Sequence, residues 1–343
     1  MVIIKIHAGA HPVQYTESKS IIVSLLDSAG IEQTVHGVEP IGYGVTNRTS
    51  LVTLNDDTRY ILREYDWPYD SSDNLHRLEK ERYLHDLLLE YGVPVPAIFA
   101  EHEDESTRAV LMEYRPGHLL GNVVDTLTEV QRTQAWQSAG TALRKVHSIQ
   151  LPDRCSGVIV GERVQPFEEG SWGDFQFHQA VQHANRLLRR DLGLRFDLSS
   201  MKNVLEQAVP LLNERPMVLL HNDPHPWNVL VHEVAGHWTC SAWLDWEYAW
   251  SGDPTWDLVR LDLFRLKQIG PTPDAFYEGY GAFPREPNRS IYEMAIYLWL
   301  ANQYLDGEVD EERVLMPTYE AAMRYLEQID ESVESIGIGL ERT

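Results

Sequence analysis

The chain has 343 residues, with 52 acids against 29 Lys and Arg and a formal charge of −23, a balance that would repel a nucleic-acid backbone and attract a cationic small molecule. Apolar content of 43% and charged content of 24% are ordinary for a folded domain, and no apolar run reaches the length needed to span a bilayer. Cys155 and Cys240 are too few for a disulfide framework, which leaves a reduced, cytoplasmic protein as the simplest expectation.

The opening Val2-Ile3-Ile4 is interrupted by Lys5, His7 and His11 and does not read as a secretory signal. Residues 18–30 predict a helix through Ile21-Ile22-Val23 and Leu25-Leu26. Residues 50–54 and 59–63 alternate apolar and polar around Asn55-Asp56-Asp57, which predicts a hairpin. Ser71-Ser72-Asp73-Asn74 supplies N-cap candidates for a helix through Leu75, Leu78, Leu84 and Leu88, stopped by Gly92 and Pro94. A strand over 108–114 ends at Pro116-Gly117. Helical periodicity then dominates, at about 128–148, 171–190, 197–213 and 292–304. The length exceeds what one core usually supports. The expected architecture is therefore α+β with two lobes: a β-rich lobe over 1–112, a linker over 113–117 and a mainly helical lobe over 118–343.

Among the later helices lies His221-Asn222-Asp223-Pro224-His225-Pro226-Trp227-Asn228, followed by the apolar run Val229-Leu230-Val231 and, later, by Ser241-Ala242-Trp243-Leu244-Asp245. A hairpin centred near Gly236-His237 would set Asn228 opposite Asp245, to within a residue or two. Both offer hard oxygen ligands suited to Mg²⁺. Asp223 stands five residues before Asn228 on a loop stiffened by Pro224 and Pro226, where an acceptor hydroxyl could meet it. One carboxylate for a hydroxyl, with an amide and a second carboxylate for a metal, is the set that phosphoryl transfer from a magnesium nucleotide requires. Independently, Glu81 lies three residues after Leu78 and seven before Leu88, on the apolar side of its helix, where a carboxylate needs a cationic partner.

These residues resemble the aminoglycoside phosphotransferase and choline kinase family, whose fold is protein-kinase-like. The catalytic-loop motif stands as His221–Asn228, the metal segment as Leu244-Asp245-Trp246-Glu247, and the downstream motif as Gly252-Asp253-Pro254-Thr255-Trp256-Asp257-Leu258. The resemblance implies Asp223 as the catalytic aspartate, Asn228 and Asp245 as Mg²⁺ ligands, and His221 as a brace for the loop. It implies that Arg63, paired with Glu81, contacts the phosphates of ATP or GTP, with Thr46 and Asn47 nearby at the tip of the first hairpin. Glu113 and Arg115 fall on the linker that would meet the purine. Asp253 and Asp257 are expected to fix the loop and the following helix. Departures are Asn222 and Trp227 for frequent glycines, Pro224 for an aliphatic or aromatic residue, and Arg63 for Lys.

Trp227 and Glu247 are the candidate acceptor contacts. Trp172, Trp246, Trp250 and Trp256 could line an aromatic site, although packing is their commoner use, and Glu168, Glu169 and Asp174 could face a cation or simply solvent. Two other readings stay open from the sequence. One is a kinase-like nucleotide-binding module without turnover, and the other is a metal-dependent hydrolase using His221, Asp223 and His225. The expected partner is a small hydroxyl compound, antibiotic or metabolite. The acidic charge tilts toward a cationic one, and no nucleic acid or membrane partner is expected.

Overall fold

A computed structural model of the protein describes residues 12–43, 47–65, 77–104, 107–190, 197–263, 271–306, 323 and 327–341. The predicted cap residues 71–74, and Thr46, lie outside these.

Helix α1 (Pro12–Ser28) leads into an antiparallel sheet of β1 (Val35–Tyr43), β2 (Asn47–Leu54), β3 (Arg59–Tyr65), β4 (Ile98–Glu103) and β5 (Arg108–Glu113), in the order β1-β2-β3-β5-β4. The predicted hairpin forms in register, with Asn47 opposite Tyr65 and Thr53 opposite Arg59. Its turn is closed by the Asp56 carboxylate, which accepts the Thr58 N–H, and by Asp57 at φ 64°. Ile22, Leu25 and Leu26 of α1 pack against Val52, Leu62 and Leu111 on one face of the sheet.

Helix α2 (Arg77–Glu90) stops where the sequence predicts. Gly92 takes φ 66°, its N–H bonds the Leu89 carbonyl, and the Val93 N–H reaches back to Leu88, a Schellman ending. Its apolar face is shared between two cores. Leu78 packs with Tyr65, Val110 and Met112 of the sheet. Leu84 and Leu88 pack with Leu143, Trp243 and Leu258 of the helical lobe.

The second lobe holds β6 (His118–Leu119), α3 (Leu120–Val123), α4 (Glu129–Val146), β7 (Gly157–Val160), β8 (Arg163–Pro166), α5 (Trp172–Leu188), α6 (Leu198–Asn213) and β9 (Val218–Leu220). It continues with β10 (Val229–Val234), β11 (His237–Trp243), β12 (Trp250–Gly252), α7 (Pro254–Leu263), α8 (Asp274–Tyr280), α9 (Asn288–Asp306) and α10 (Ile329–Leu340). Thr128 with Gln131 forms a capping box on α4, and Ser171 and Asp197 cap α5 and α6. A four-stranded sheet, β8-β7-β12-β9, has no counterpart in the sequence reading, because its strands run only three or four residues. Trp172, Phe167, Phe175, Trp250, Trp256 and Tyr292 form one aromatic cluster in this lobe, so these tryptophans pack rather than line an open site.

The site hairpin β10–β11 differs from its prediction by one residue. Ala235 and Gly236 both take positive φ, 50° and 85°, which centres the turn one position earlier. A bulge then inserts Ser241 between the pairs Val231–Cys240 and Leu230–Ala242. Trp243 therefore faces Val229, and the Asn228 carbonyl accepts the Leu244 N–H at 2.8 Å. Asp245 lies one residue beyond that pairing, and its φ of 67° turns the chain away from the strand direction.

Candidate active site

The 221–228 loop is held by α7. Asp253 caps α7, accepting the Thr255 N–H at 2.9 Å, and is itself gripped by Tyr292 Oη at 2.7 Å and Arg215 Nε at 3.2 Å. Asp257 accepts the backbone N–H of His221 on Oδ2 (2.7 Å) and of Asn222 on Oδ1 (2.9 Å). His147 Nε2 bonds the same carboxylate at 3.0 Å. Asp257 is wholly buried, so two amides and an imidazole supply what water cannot.

His221 is also wholly buried, and burial lowers its affinity for a proton below the usual imidazole range. Its Nε2 lies 2.9 Å from the Leu244 carbonyl, while Nδ1 accepts the Asp223 N–H at 3.3 Å. Both nitrogens are committed to the loop, as a brace requires. Among the described residues no group of three His, Cys, Asp or Glu converges on a metal position.

Asn222 has φ 61°, the left-handed conformation that a glycine usually supplies. Its side chain donates to the Tyr248 carbonyl (3.1 Å) and accepts from the Trp256 indole (2.7 Å). The next residue, Asp223, is partly buried. Burial works to raise its pKa, but His225 at 3.4 Å and Arg260 at 3.5 Å outweigh it, and the carboxyl is held well below the usual range. The Asn228 amide donates to the Asp223 carbonyl at 3.0 Å, which leaves Oδ1 as the free acceptor end of that side chain.

Across the cleft, Arg63 on β3 uses its fork twice. Nη1 meets Glu81 Oε1 at 3.0 Å and Nη2 meets Asp245 Oδ1 at 2.8 Å. Burial opposes the guanidinium charge, yet Glu81 and Asp245 more than compensate. Tyr65 Oη also bonds Glu81, on its other oxygen. The predicted Arg63–Glu81 pair is thus present, and it extends to Asp245. The Asp245 side chain is 35% exposed. Asn228 and Asp245 offer only hard oxygens, a donor set that fits Mg²⁺.

Other predicted residues have different surroundings. Glu247 turns to α2, with Oε2 3.2 Å from Arg77, and its carboxyl is pushed up by burial and then by Asp245. Trp227 is buried, packs against Gly121 and donates to Asn122 at 3.1 Å. Glu113 and Arg115 pair with each other at 2.9 Å and fold back on the 95–97 segment. Asn47 is buried at the start of β2. Asp174 and Ser171 cap α5 together, and Glu168 is exposed. Two residues escaped the sequence reading. Lys80 donates to the carbonyls of Glu247 (2.7 Å) and Ala249 (3.2 Å), and Arg260 touches Asp223.

No helix among the described residues is long and apolar enough to cross a membrane. Solved structures share this architecture. A protein described as a fructosamine-3-kinase from Thermobifida fusca YX-ER1 is 18% identical, with a TM-score of 0.56 over 93% of this chain and 99% of its own. The GDP complex of wild-type aminoglycoside 2'-phosphotransferase-IIIa is 15% identical, with a TM-score of 0.57 over 92% and 98%. A macrolide 2'-phosphotransferase from Brachybacterium faecium is 16% identical, with a TM-score of 0.55 over 90% and 98%. No curated protein matches the sequence. The fold is accordingly protein-kinase-like. Because the phosphotransferase enzyme family matches residues 37–312, most of the length, the chain belongs to that family and is a small-molecule phosphotransferase acting on hydroxyl groups.

Proposed function

We propose that the protein transfers the γ-phosphoryl group of ATP or GTP to a hydroxyl of an antibiotic or metabolite, with Asp223 orienting that hydroxyl. The observation that carries this reading is the Asp223 carboxylate within 3.5 Å of the Asn228 amide, with Asp245 tied through Arg63 to Glu81. A carboxylate whose pKa is lowered by His225 and Arg260 is a weak base. It would hold the hydroxyl in line and take its proton late, as a loose transition state allows. Asn228 and Asp245 would hold Mg²⁺, which when bound neutralises phosphate charge. Arg63 would give up Asp245 for phosphate oxygens while Glu81 keeps its other nitrogens in place.

Nucleotide use is supported by the GDP complex of a structural neighbour. Neighbours named for fructosamine, aminoglycoside and macrolide substrates share the fold, so the fold alone does not choose an acceptor. The charge of −23 favours a cationic acceptor, and a cytoplasmic site of action agrees with the two free cysteines. The test is Asp223→Ala. Turnover should fall by roughly 10²–10⁴ while ADP binding survives. Wild-type turnover in that variant would overturn the assignment. A mixed panel of hydroxyl compounds, read as nucleoside diphosphate release with ATP and with GTP, identifies the acceptor.

A further inference from the structure

Helix α7 meets the catalytic loop along one face. Trp256 takes the Asn222 side chain and Asp257 takes the amides of residues 221 and 222. Three residues further, one turn along that face, Arg260 places Nη2 3.5 Å from Asp223 Oδ1. Its guanidinium is fixed from the opposite side, since Cζ lies 4.7 Å from the ring centroid of Trp299 on α9. The side chain is 12% exposed, which leaves it little freedom to swing away. The other carboxylate oxygen, Oδ2, faces His225 Nε2 at 3.4 Å and Asn228 Nδ2 at 3.5 Å.

We propose that Arg260 is a positioning residue for phosphoryl transfer, fixing the Asp223 carboxylate from the α7 side so that an acceptor hydroxyl meets it in one orientation. The proposal rests on the reading of Asp223 given above. At 3.5 Å the contact is longer than a tight ion pair, so Oδ1 can still accept a hydroxyl hydrogen without expelling the arginine. Arg260 acts through Asp223, whereas the phosphate clamp is the separate pair Arg63–Glu81. Its loss should therefore slow turnover and spare nucleotide binding.

The full-length protein is assayed with ATP, Mg²⁺ and the mixed hydroxyl panel, and turnover is expressed per site counted by ADP binding. Arg260→Met keeps the aliphatic stem against Trp299 and removes the charge. Its kcat should fall about 30-fold, with ATP KM and ADP affinity within about twofold of wild type, because a small misplacement of a reacting group costs rate and not ground-state binding. Arg260→Lys should regain roughly tenfold over the Met variant, and Trp299→Leu, which removes only the support, should lose about threefold. A kcat within twofold of wild type in Arg260→Met overturns the proposal. So does a loss of ADP affinity parallel to the loss of turnover, or a Lys variant no better than Met. Asp223→Ala, run alongside, separates the two claims. If it is fully active the phosphotransferase role of Asp223 fails, whereas a crippled Asp223→Ala beside an unaffected Arg260→Met sinks only the role of Arg260.

Discussion

Asn222 takes φ 61° in the 221–228 loop and does two things a glycine could not. It satisfies the buried Trp256 indole and ties the loop to the Tyr248 carbonyl in the segment after Asp245. Replacing it separates the backbone cost from the side-chain cost. Asn222→Gly keeps the left-handed backbone but strands the indole N–H, a loss of about 1–3 kcal/mol. Asn222→Ala loses the same bonds and keeps a Cβ at that positive φ, whereas Gly relieves the strain by ~1–2 kcal/mol. Urea denaturation should therefore place Ala below both the wild type and Gly. An Ala variant as stable as the Gly variant would show that the bend relaxes. The sequence exposed Asn222 as a departure from a frequent glycine, but its partners lie 26 and 34 residues away, where no local pattern points.

At the scale of elements, α2 shows which contacts a sequence can carry. Glu81 was legible because helical spacing put a carboxylate on the apolar side, and the structure supplies its cation in Arg63. Lys80 stands next to it and was not legible, because its acceptors are backbone carbonyls 167 and 169 residues away. The hairpin β10–β11 was legible as a hairpin. Its register was not, since the bulge at Ser241 answers to packing and not to any turn residue. Lys80 makes a testable contribution. Burial, with Arg77 beside it, lowers its pKa from 10.5 to about 8. Between those two values the unfolded chain binds a proton that the folded chain has released, so stability contributed by this group rises with pH. Below pH 8 the folded state carries the full cost of a buried ammonium, and above 10.5 that cost is gone. Relative to Lys80→Met, wild type should gain about 2–3 kcal/mol of stability as pH rises through that window. A pH-independent difference between the two proteins would mean that Lys80 keeps its ordinary pKa in the fold.

For the whole molecule, side chains tie the first sheet and α2 to the segment that follows β11. Arg63 of the sheet bonds Asp245 of the helical lobe, and Arg77 and Lys80 of α2 bond Glu247. The change from strand to helix periodicity near residue 117 was legible, whereas the way α2 shares its apolar face between the sheet and the later helices was not. Helical spacing marks which face is apolar without saying which lobe covers it. Arg63 carries the clearest consequence, because an arginine fork reaches two carboxylates at once and a lysine ammonium is a single point charge. Arg63→Lys should hold Glu81 or Asp245 but not both, which weakens the bridge and the later grip on phosphate. Fluorescence titration with ADP and Mg²⁺ should show about a tenfold loss of affinity for Arg63→Lys and a larger one for Arg63→Gln, the order expected when a bidentate charged contact is reduced and then removed. Stability should fall less than affinity, since Gln can still hydrogen-bond one of the two carboxylates. Wild-type affinity in Arg63→Lys would mean that the second arm of the fork plays no part in nucleotide binding.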